Sequence, residues 1–138
     1  MNTTVIRALT VLFGVNLVAT LIHYADNVAR LNAYPDLPTT APWHILSFLA
    51  IMLLFGIAGF WLFLKNHPML AAYFTYIYCA LNFVVLGHYT ASRLNGPVSE
   101  YGMAIHLAIF AEVLTALALL LYVGRLHWRL RRRGPTER

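Results

Sequence analysis

The chain has 138 residues, of which 60% are hydrophobic and only 11% are Asp, Glu, Lys or Arg. Because ordinary soluble domains carry about 25% charged residues, this composition excludes a soluble globular fold. The net charge is +5, and Cys79 is the only cysteine, so an internal disulfide and two-cysteine redox chemistry within one chain are excluded.

Four long apolar segments follow one another along the chain. Residues 8–25, 37–64 and 66–92 contain no charged residue, and residues 101–124 contain only Glu112. A helix needs about 20 mostly apolar residues to cross a bilayer, and its backbone must bond internally there. The sequence therefore predicts an all-α integral membrane protein whose single domain is a four-transmembrane antiparallel helix bundle.

The predicted bundle occupies residues 1–124, and a basic cytoplasmic tail occupies 125–138. We expect the helices at about 5–26, 43–64, 68–92 and 100–124. The first segment lacks a small-x-small cleavage site, which favours a retained helix over a signal peptide. A three-proline loop follows it, the turn Lys65-Asn66-His67-Pro68 joins helices two and three, and Asn95-Gly96-Pro97 forms the next turn. Gly56 and Gly59 in helix two are expected to allow close helix packing.

The basic residues are distributed unevenly between the two predicted sides of the membrane. Only Arg30 and Arg93 fall on one side. The other side receives Arg7, Lys65, Arg125, Arg129, Arg131, Arg132, Arg133 and Arg138. By the positive-inside rule this predicts that both termini are cytoplasmic, in a bacterial inner membrane or a plasma membrane. The basic tail is expected to touch anionic lipid, and nucleic acid is not an expected partner.

One histidine lies near the outer end of each apolar segment: His23, His44, His88 and His106. Ionisable residues within membrane segments are costly and usually functional. At a rise of about 1.5 Å per residue, these histidines lie within roughly 10 Å of the outer boundary. By the same measure Asn16, Asn82 and Glu112 lie about 15 Å inward. The two layers predict a pocket that opens outward, also lined by Tyr78 and Tyr89. His44 beside Trp43 is interpreted as interfacial, and His67 and His127 are expected to face solvent.

The leading hypothesis for this cluster is a metal or haem site, in a redox or hydrolytic membrane enzyme. His23, Asp26, His88 and His106 are the candidate metal ligands, for zinc or iron. Two of His23, His88 and His106 would instead be axial ligands of a haem. Asp26 has an alternative role as a partner that orients His23.

Two other functional classes remain open. The first is a lipophilic-ligand binding protein or isomerase, in which Glu112 or His106 moves a proton as the catalytic residue. The second is a non-enzymatic transporter or an accessory subunit of a larger membrane complex. Because four helices leave little room for alternating access, transport predicts a homo-oligomer.

A short resemblance to a known family lies around the first outer loop. Asp26, Tyr34-Pro35 and Pro42-Trp43 are similar to residues of the EXPERA-domain membrane proteins, which include sterol isomerases. The resemblance implies four helices with an aromatic and acidic pocket. Helix two here has no acidic residue, which departs from the family pattern, and no catalytic residue is carried over.

Overall fold

A computed structural model of the protein describes residues 3–31, 41–89 and 103–132, without the side chains of residues 88, 89, 104 and 105. Four α-helices make up most of it: α1 (Thr3–Ala29), α2 (Pro42–Leu64), α3 (Pro68–Phe83) and α4 (Met103–Arg132). These ranges contain no strand. All four helices, with the third taken through Gly87, are long and apolar enough to cross a membrane. The prediction of an all-helical chain with four such helices is confirmed.

The last helix is longer than predicted. It continues from the expected end at residue 124 to Arg132, so the first part of the basic segment is helical. Arginine and leucine are good helix formers. In addition, Arg129, Arg131 and Arg132 lie in the last turn, where positive charge stabilises the helix dipole.

The third helix changes its winding before its predicted end. A 3-10 helix runs from Val84 to Tyr89 directly after α3. It has 3.0 residues per turn instead of 3.6, and runs of this length are uncommon. The side-chain directions of residues 84–87 therefore differ from those expected of a continuous α-helix.

The predicted turn between α2 and α3 is a tight helix stop. Asn66 has a φ of 60°, in the left-handed region that asparagine tolerates better than most residues. The Asn66 amide donates to the Phe63 carbonyl at 3.1 Å, and the His67 amide donates to the Leu62 carbonyl at 2.9 Å. This pattern is a Schellman motif. Pro68 then begins α3, so the reversal is completed within a few residues.

Side-chain contacts show that sequential helices are antiparallel and form a closed ring. Between α1 and α2, Phe13 stacks on Phe60 while Tyr24 stacks on Phe48. Between α3 and α4, Tyr76 lies against His127 and Tyr73 against Arg131. For each pair of helices, the contact with the higher residue number on one helix has the lower residue number on the other, so the two helices run in opposite directions. The α1–α4 contact closes the ring.

The predicted close packing at Gly56 and Gly59 is confirmed. A Cβ atom at Gly56 would lie 2.8 Å from the Tyr78 ring, and one at Gly59 would lie 2.8 Å from the Thr75 hydroxyl oxygen. Both glycines therefore allow α2 to lie directly against α3. This contact fixes the depth of Tyr78 in the core of the bundle.

The core has two chemically different halves. Toward the chain's first residue and the turn at Asn66, the buried side chains are apolar, among them Leu9, Phe63 and Val123. Toward the opposite end, apolar residues such as Ile45 and Ile109 are buried together with most of the buried polar residues: Asn16, Thr20, His23, Asn27, Asn82, His106 and Glu112. The polar half lies where the chain leaves α1 and enters α4.

Candidate functional site

The central feature of the polar half is a hydrogen-bonded pair between α1 and α4. His23 Nδ1 lies 2.8 Å from Glu112 Oε2, and the two side chains are 1% and 0% exposed. Side chains on a helix lean toward its N-terminus. Because the two helices are antiparallel, His23 and Glu112 lean toward each other along the bundle axis. A histidine and a carboxylate from the two predicted layers therefore meet.

Asn27 contacts the other nitrogen of the His23 ring, Nε2. Its Nδ2 atom lies 3.1 Å from His23 Nε2, one helical turn along α1. When this amide donates, Nε2 accepts, and the ring proton is on Nδ1, which donates to Glu112. When the amide rotates by 180°, its oxygen accepts a hydrogen bond from a protonated Nε2 instead. The three side chains can thus hold an imidazole with one proton or with two.

The outer edge of this triad has unsatisfied acceptors. Glu112 Oε1 and Asn27 Oδ1 are buried, and neither has a hydrogen-bond partner among the described residues. A buried polar atom without a partner costs about 1–3 kcal/mol, and more when it is charged. A donor group of a bound molecule would satisfy Oε1.

The predicted pocket residues Asn16, Tyr78 and Asn82 are brought together next to this pair. Asn16 Nδ2 donates to the Glu112 carbonyl at 2.8 Å, and the Tyr78 hydroxyl donates to Asn16 Oδ1. The Thr20 hydroxyl donates to Asn82 Oδ1 at 3.1 Å. The Tyr78–Asn16 and Thr20–Asn82 bonds cross the bundle diagonally between α3 and α1. The Asn16 bond joins α1 to α4 and fixes the position of Glu112 through its backbone carbonyl.

Asp26 lies beside the pair and has a partner of its own. Its carboxylate accepts two hydrogen bonds of 2.7 Å from the Arg30 guanidinium, and this ion pair lies on the outside of α1. Asp26 is half-buried, in contrast to Glu112. The structure therefore distinguishes the two carboxylates: one is fixed by an arginine and the other by a histidine.

The remaining predicted histidines have different environments. His44 is exposed, stacks near Trp43 and accepts a hydrogen bond from the Ala41 amide at the start of α2, which fits the interfacial interpretation. His106 is 9% exposed and lies in the polar half of the core on α4. The side chains of His88 and Tyr89 lie outside the described part of the chain.

The expectation for His127 is wrong, whereas His67 is exposed as expected. His127 lies half-buried between α3 and α4, stacked on Tyr76, and its Nδ1 lies 2.9 Å from the Tyr76 hydroxyl. The reason is that α4 remains helical through this region. Residues assigned to a separate tail therefore pack against the third helix.

The metal and haem hypothesis stays a prediction. Within the described ranges, no three His, Cys, Asp or Glu side chains are grouped so as to hold a metal ion. The predicted ligand set also includes His88, whose side chain is not among those described. Of that set, His23 is bonded to Glu112 and Asp26 to Arg30.

Sequence reasoning missed the pairing of His23 with Glu112 and the role of Asn27. Depths counted along each helix axis put His23 and Glu112 in separate layers, because that count follows Cα atoms. The two side chains lean toward each other and the glutamate side chain is long, so their polar atoms meet although their Cα atoms lie at different depths. The spacing of His23 and Asn27, four residues apart on one helix face, was a usable signal for their contact.

Comparison with known proteins gives no relative: no family model, no curated protein and no solved structure matches the chain. The resemblance to EXPERA-domain proteins is thus limited to a few residues, of which Tyr34 and Pro35 lie outside the described ranges. The functional argument therefore depends on the site alone.

Proposed function

We propose that this protein is a membrane-embedded acid–base protein that binds a lipophilic ligand and exchanges a proton with it at Glu112. The observation that carries the proposal is the fully buried His23–Glu112 hydrogen bond, with the second carboxylate oxygen lacking a partner among the described residues. Bundle stability does not require a carboxylate at this depth, and intramembrane carboxylates usually mark function.

The proposed chemistry is isomerisation by proton transfer. Glu112 Oε1 takes a proton from the ligand and becomes a carboxylic acid, and the ligand keeps the electron pair. Return of the proton to another atom of the same ligand gives the isomer and restores the carboxylate. The overall reaction moves one proton and needs no oxidant or reductant.

In this proposal His23 is a positioning residue. Its Nδ1–H donates to Oε2 and stabilises the carboxylate, so Oε1 is the oxygen that points toward the ligand. The Asn27 amide donates to Nε2 when this nitrogen carries no hydrogen, and its oxygen accepts from Nε2 when it does. His106, on the same helix and in the same half of the core, is the candidate for a second proton donor, and Tyr89 for the pocket wall.

We further propose that the four helices span the membrane with both termini in the cytoplasm. The support is the distribution of basic residues, eight against two. The polar half of the core then lies nearer the outer face. The apolar half, which includes Leu9 and Phe63, closes the cytoplasmic side against protons. A ligand therefore enters from the outer side or from the outer leaflet.

Lipid analysis of the purified protein tests ligand binding. Wild type, Glu112→Gln and Asp26→Asn are purified from the same membranes in mild detergent, and retained lipophilic molecules are identified by mass spectrometry. The proposal predicts a species that wild type and the Asp26 variant retain and the Glu112 variant loses. Identical retained species in all three proteins would contradict it.

A further inference from the structure

At the opposite end of the bundle from Glu112, a surface groove runs between the start of α1 and the end of α4. It is lined by Val5, Tyr122, Arg125, Leu126 and Arg129. Val5 and Leu126 are half-buried, whereas both arginines are exposed. Arg125 and Arg129 are four residues apart, so their side chains extend from the same helix face.

The two groove arginines lack a counter-charge in the described part of the chain. The carboxylates there are Asp26, bonded to Arg30, and Glu112, bonded to His23. No described residue forms a hydrogen bond or ion pair with Arg125 or Arg129.

The neighbouring arginines on α4 are used differently. Arg131 donates to the Tyr73 hydroxyl at 3.3 Å, and the Arg132 guanidinium lies 3.8 Å from the centre of the Trp128 ring. The charges directed into the groove are therefore those of Arg125 and Arg129. A matched pair of arginines outside the groove is available on the same helix end.

Aromatic residues indicate the depth of the groove. Trp61 and Trp128 are 54% and 53% exposed at this end of the bundle. Lys65 lies 5.8 Å from the centre of the Trp61 ring. Exposed tryptophans beside basic residues are typical of the membrane–water interface, the level of lipid phosphates. Exposed Leu121, one turn before Arg125 on the same face of α4, continues the apolar surface beside the groove.

We propose that this groove binds one anionic phospholipid of the surrounding membrane through its phosphate. The guanidinium groups of Arg125 and Arg129 donate to the phosphate oxygens, a geometry in which arginine forms two parallel hydrogen bonds. Val5 and Leu126 contact the first part of an acyl chain. This site is independent of the proton chemistry proposed at Glu112.

Native mass spectrometry of the detergent-purified full chain tests the site. Wild type is titrated with phosphatidylglycerol and, separately, with zwitterionic phosphatidylcholine. Arg125→Gln/Arg129→Gln removes the groove charges, and Arg131→Gln/Arg132→Gln removes the same charge outside the groove. A basic residue near an anionic surface contributes about 1 kcal/mol, so the groove variant should bind phosphatidylglycerol about 30-fold more weakly. The control variant should change by less than about threefold, since the phosphate contacts remain.

The remaining outcomes decide against the proposal. Equal weakening in both variants would show general charge attraction without a site, and equal binding of phosphatidylcholine would remove the anionic preference. Displacement of phosphatidylglycerol by inorganic phosphate would assign the groove to a free anion. If the glutamine variant does not fold, Arg125→Lys/Arg129→Lys keeps the charge and loses the planar donors. Binding as tight as wild type in that variant would overturn the paired arginine hydrogen bonds that the proposal assigns to the phosphate.

Discussion

Replacing His23 by leucine should destabilise the bundle far more than a conservative change at Glu112. The substitution removes the 2.8 Å bond to Oε2, and Oε1 has no partner among the described residues. Both oxygens of a side chain that is 0% exposed would then lack a donor. Breaking a buried ion pair in soluble proteins costs about 3–5 kcal/mol. Measured hydrogen bonds within membranes average about 0.6 kcal/mol and reach about 1.7 kcal/mol.

Between these limits we expect a loss of about 3 kcal/mol in the free energy of unfolding for His23→Leu. Glu112→Gln should lose about 1 kcal/mol or less, because the amide oxygen still accepts the hydrogen bond from the Nδ1–H of His23. The double variant His23→Leu/Glu112→Leu should be more stable than His23→Leu alone. Replacing both partners of a buried pair by apolar groups leaves no unpaired charge.

Reversible unfolding in mixed lipid–detergent micelles, induced with sodium dodecyl sulfate and followed by tryptophan fluorescence, measures all three variants. Together with wild type and the single variant Glu112→Leu, His23→Leu and the double variant form a double-mutant cycle, which isolates the coupling between the two side chains. A coupling below about 0.5 kcal/mol, or a double variant less stable than His23→Leu, would refute the reasoning.

Three further predictions concern packing, the second carboxylate and metal dependence. Gly59→Ala should destabilise by about 1–3 kcal/mol in the same unfolding assay. Its Cβ would lie 2.8 Å from the Thr75 hydroxyl oxygen and 3.2 Å from the Thr75 amide nitrogen. The control Gly14→Ala meets nothing within 4 Å and should be neutral or slightly stabilising. Equal losses at the two glycines would contradict the close α2–α3 contact. Asp26→Asn should lower the free energy of unfolding by less than about 1 kcal/mol, since the Asp26–Arg30 pair is partly exposed. A larger loss would contradict this expectation and indicate a structural role of Asp26 that its contacts do not explain. Dialysis against a chelator should leave the helical circular dichroism and the unfolding midpoint unchanged, because His23 and Glu112 pair directly with each other. A lowered midpoint that zinc or iron restores would instead support the metal hypothesis.

The bundle was predictable because its strongest determinants are local. Uncharged stretches of sufficient length predict helices in a bilayer, and Asn66-His67-Pro68 predicts the reversal between α2 and α3. The end of α4 was not predictable from apolar content, because the helix continues through arginines that lie outside the hydrophobic run. The 3-10 winding from Val84 was likewise not predictable, because residues 84–86 continue the apolar run of α3.

The residues of the candidate site were predictable from the sequence, but the contacts between them were not. Glu112, His23, Asn16 and Asn82 are unusual residues for apolar helices, and each is buried in the polar half of the core. Which of them touch depends on helix rotation and on the direction in which side chains lean. A glutamate can reach about a helical turn from its Cα atom, so axial depth alone assigned it to the wrong neighbours.

The most direct test of the proposed function is proton exchange at carbon in heavy water. Wild type, Glu112→Gln and Asp26→Asn are reconstituted with a total extract of lipophilic molecules in deuterium oxide, and stable deuterium incorporation is followed by mass spectrometry after back-exchange in ordinary water. We predict one class of lipophilic molecule that gains deuterium with wild type and with the Asp26 variant, and not with the Glu112 variant. Incorporation that is the same with the Glu112 variant as with wild type, or absent with wild type, would contradict acid–base chemistry at Glu112.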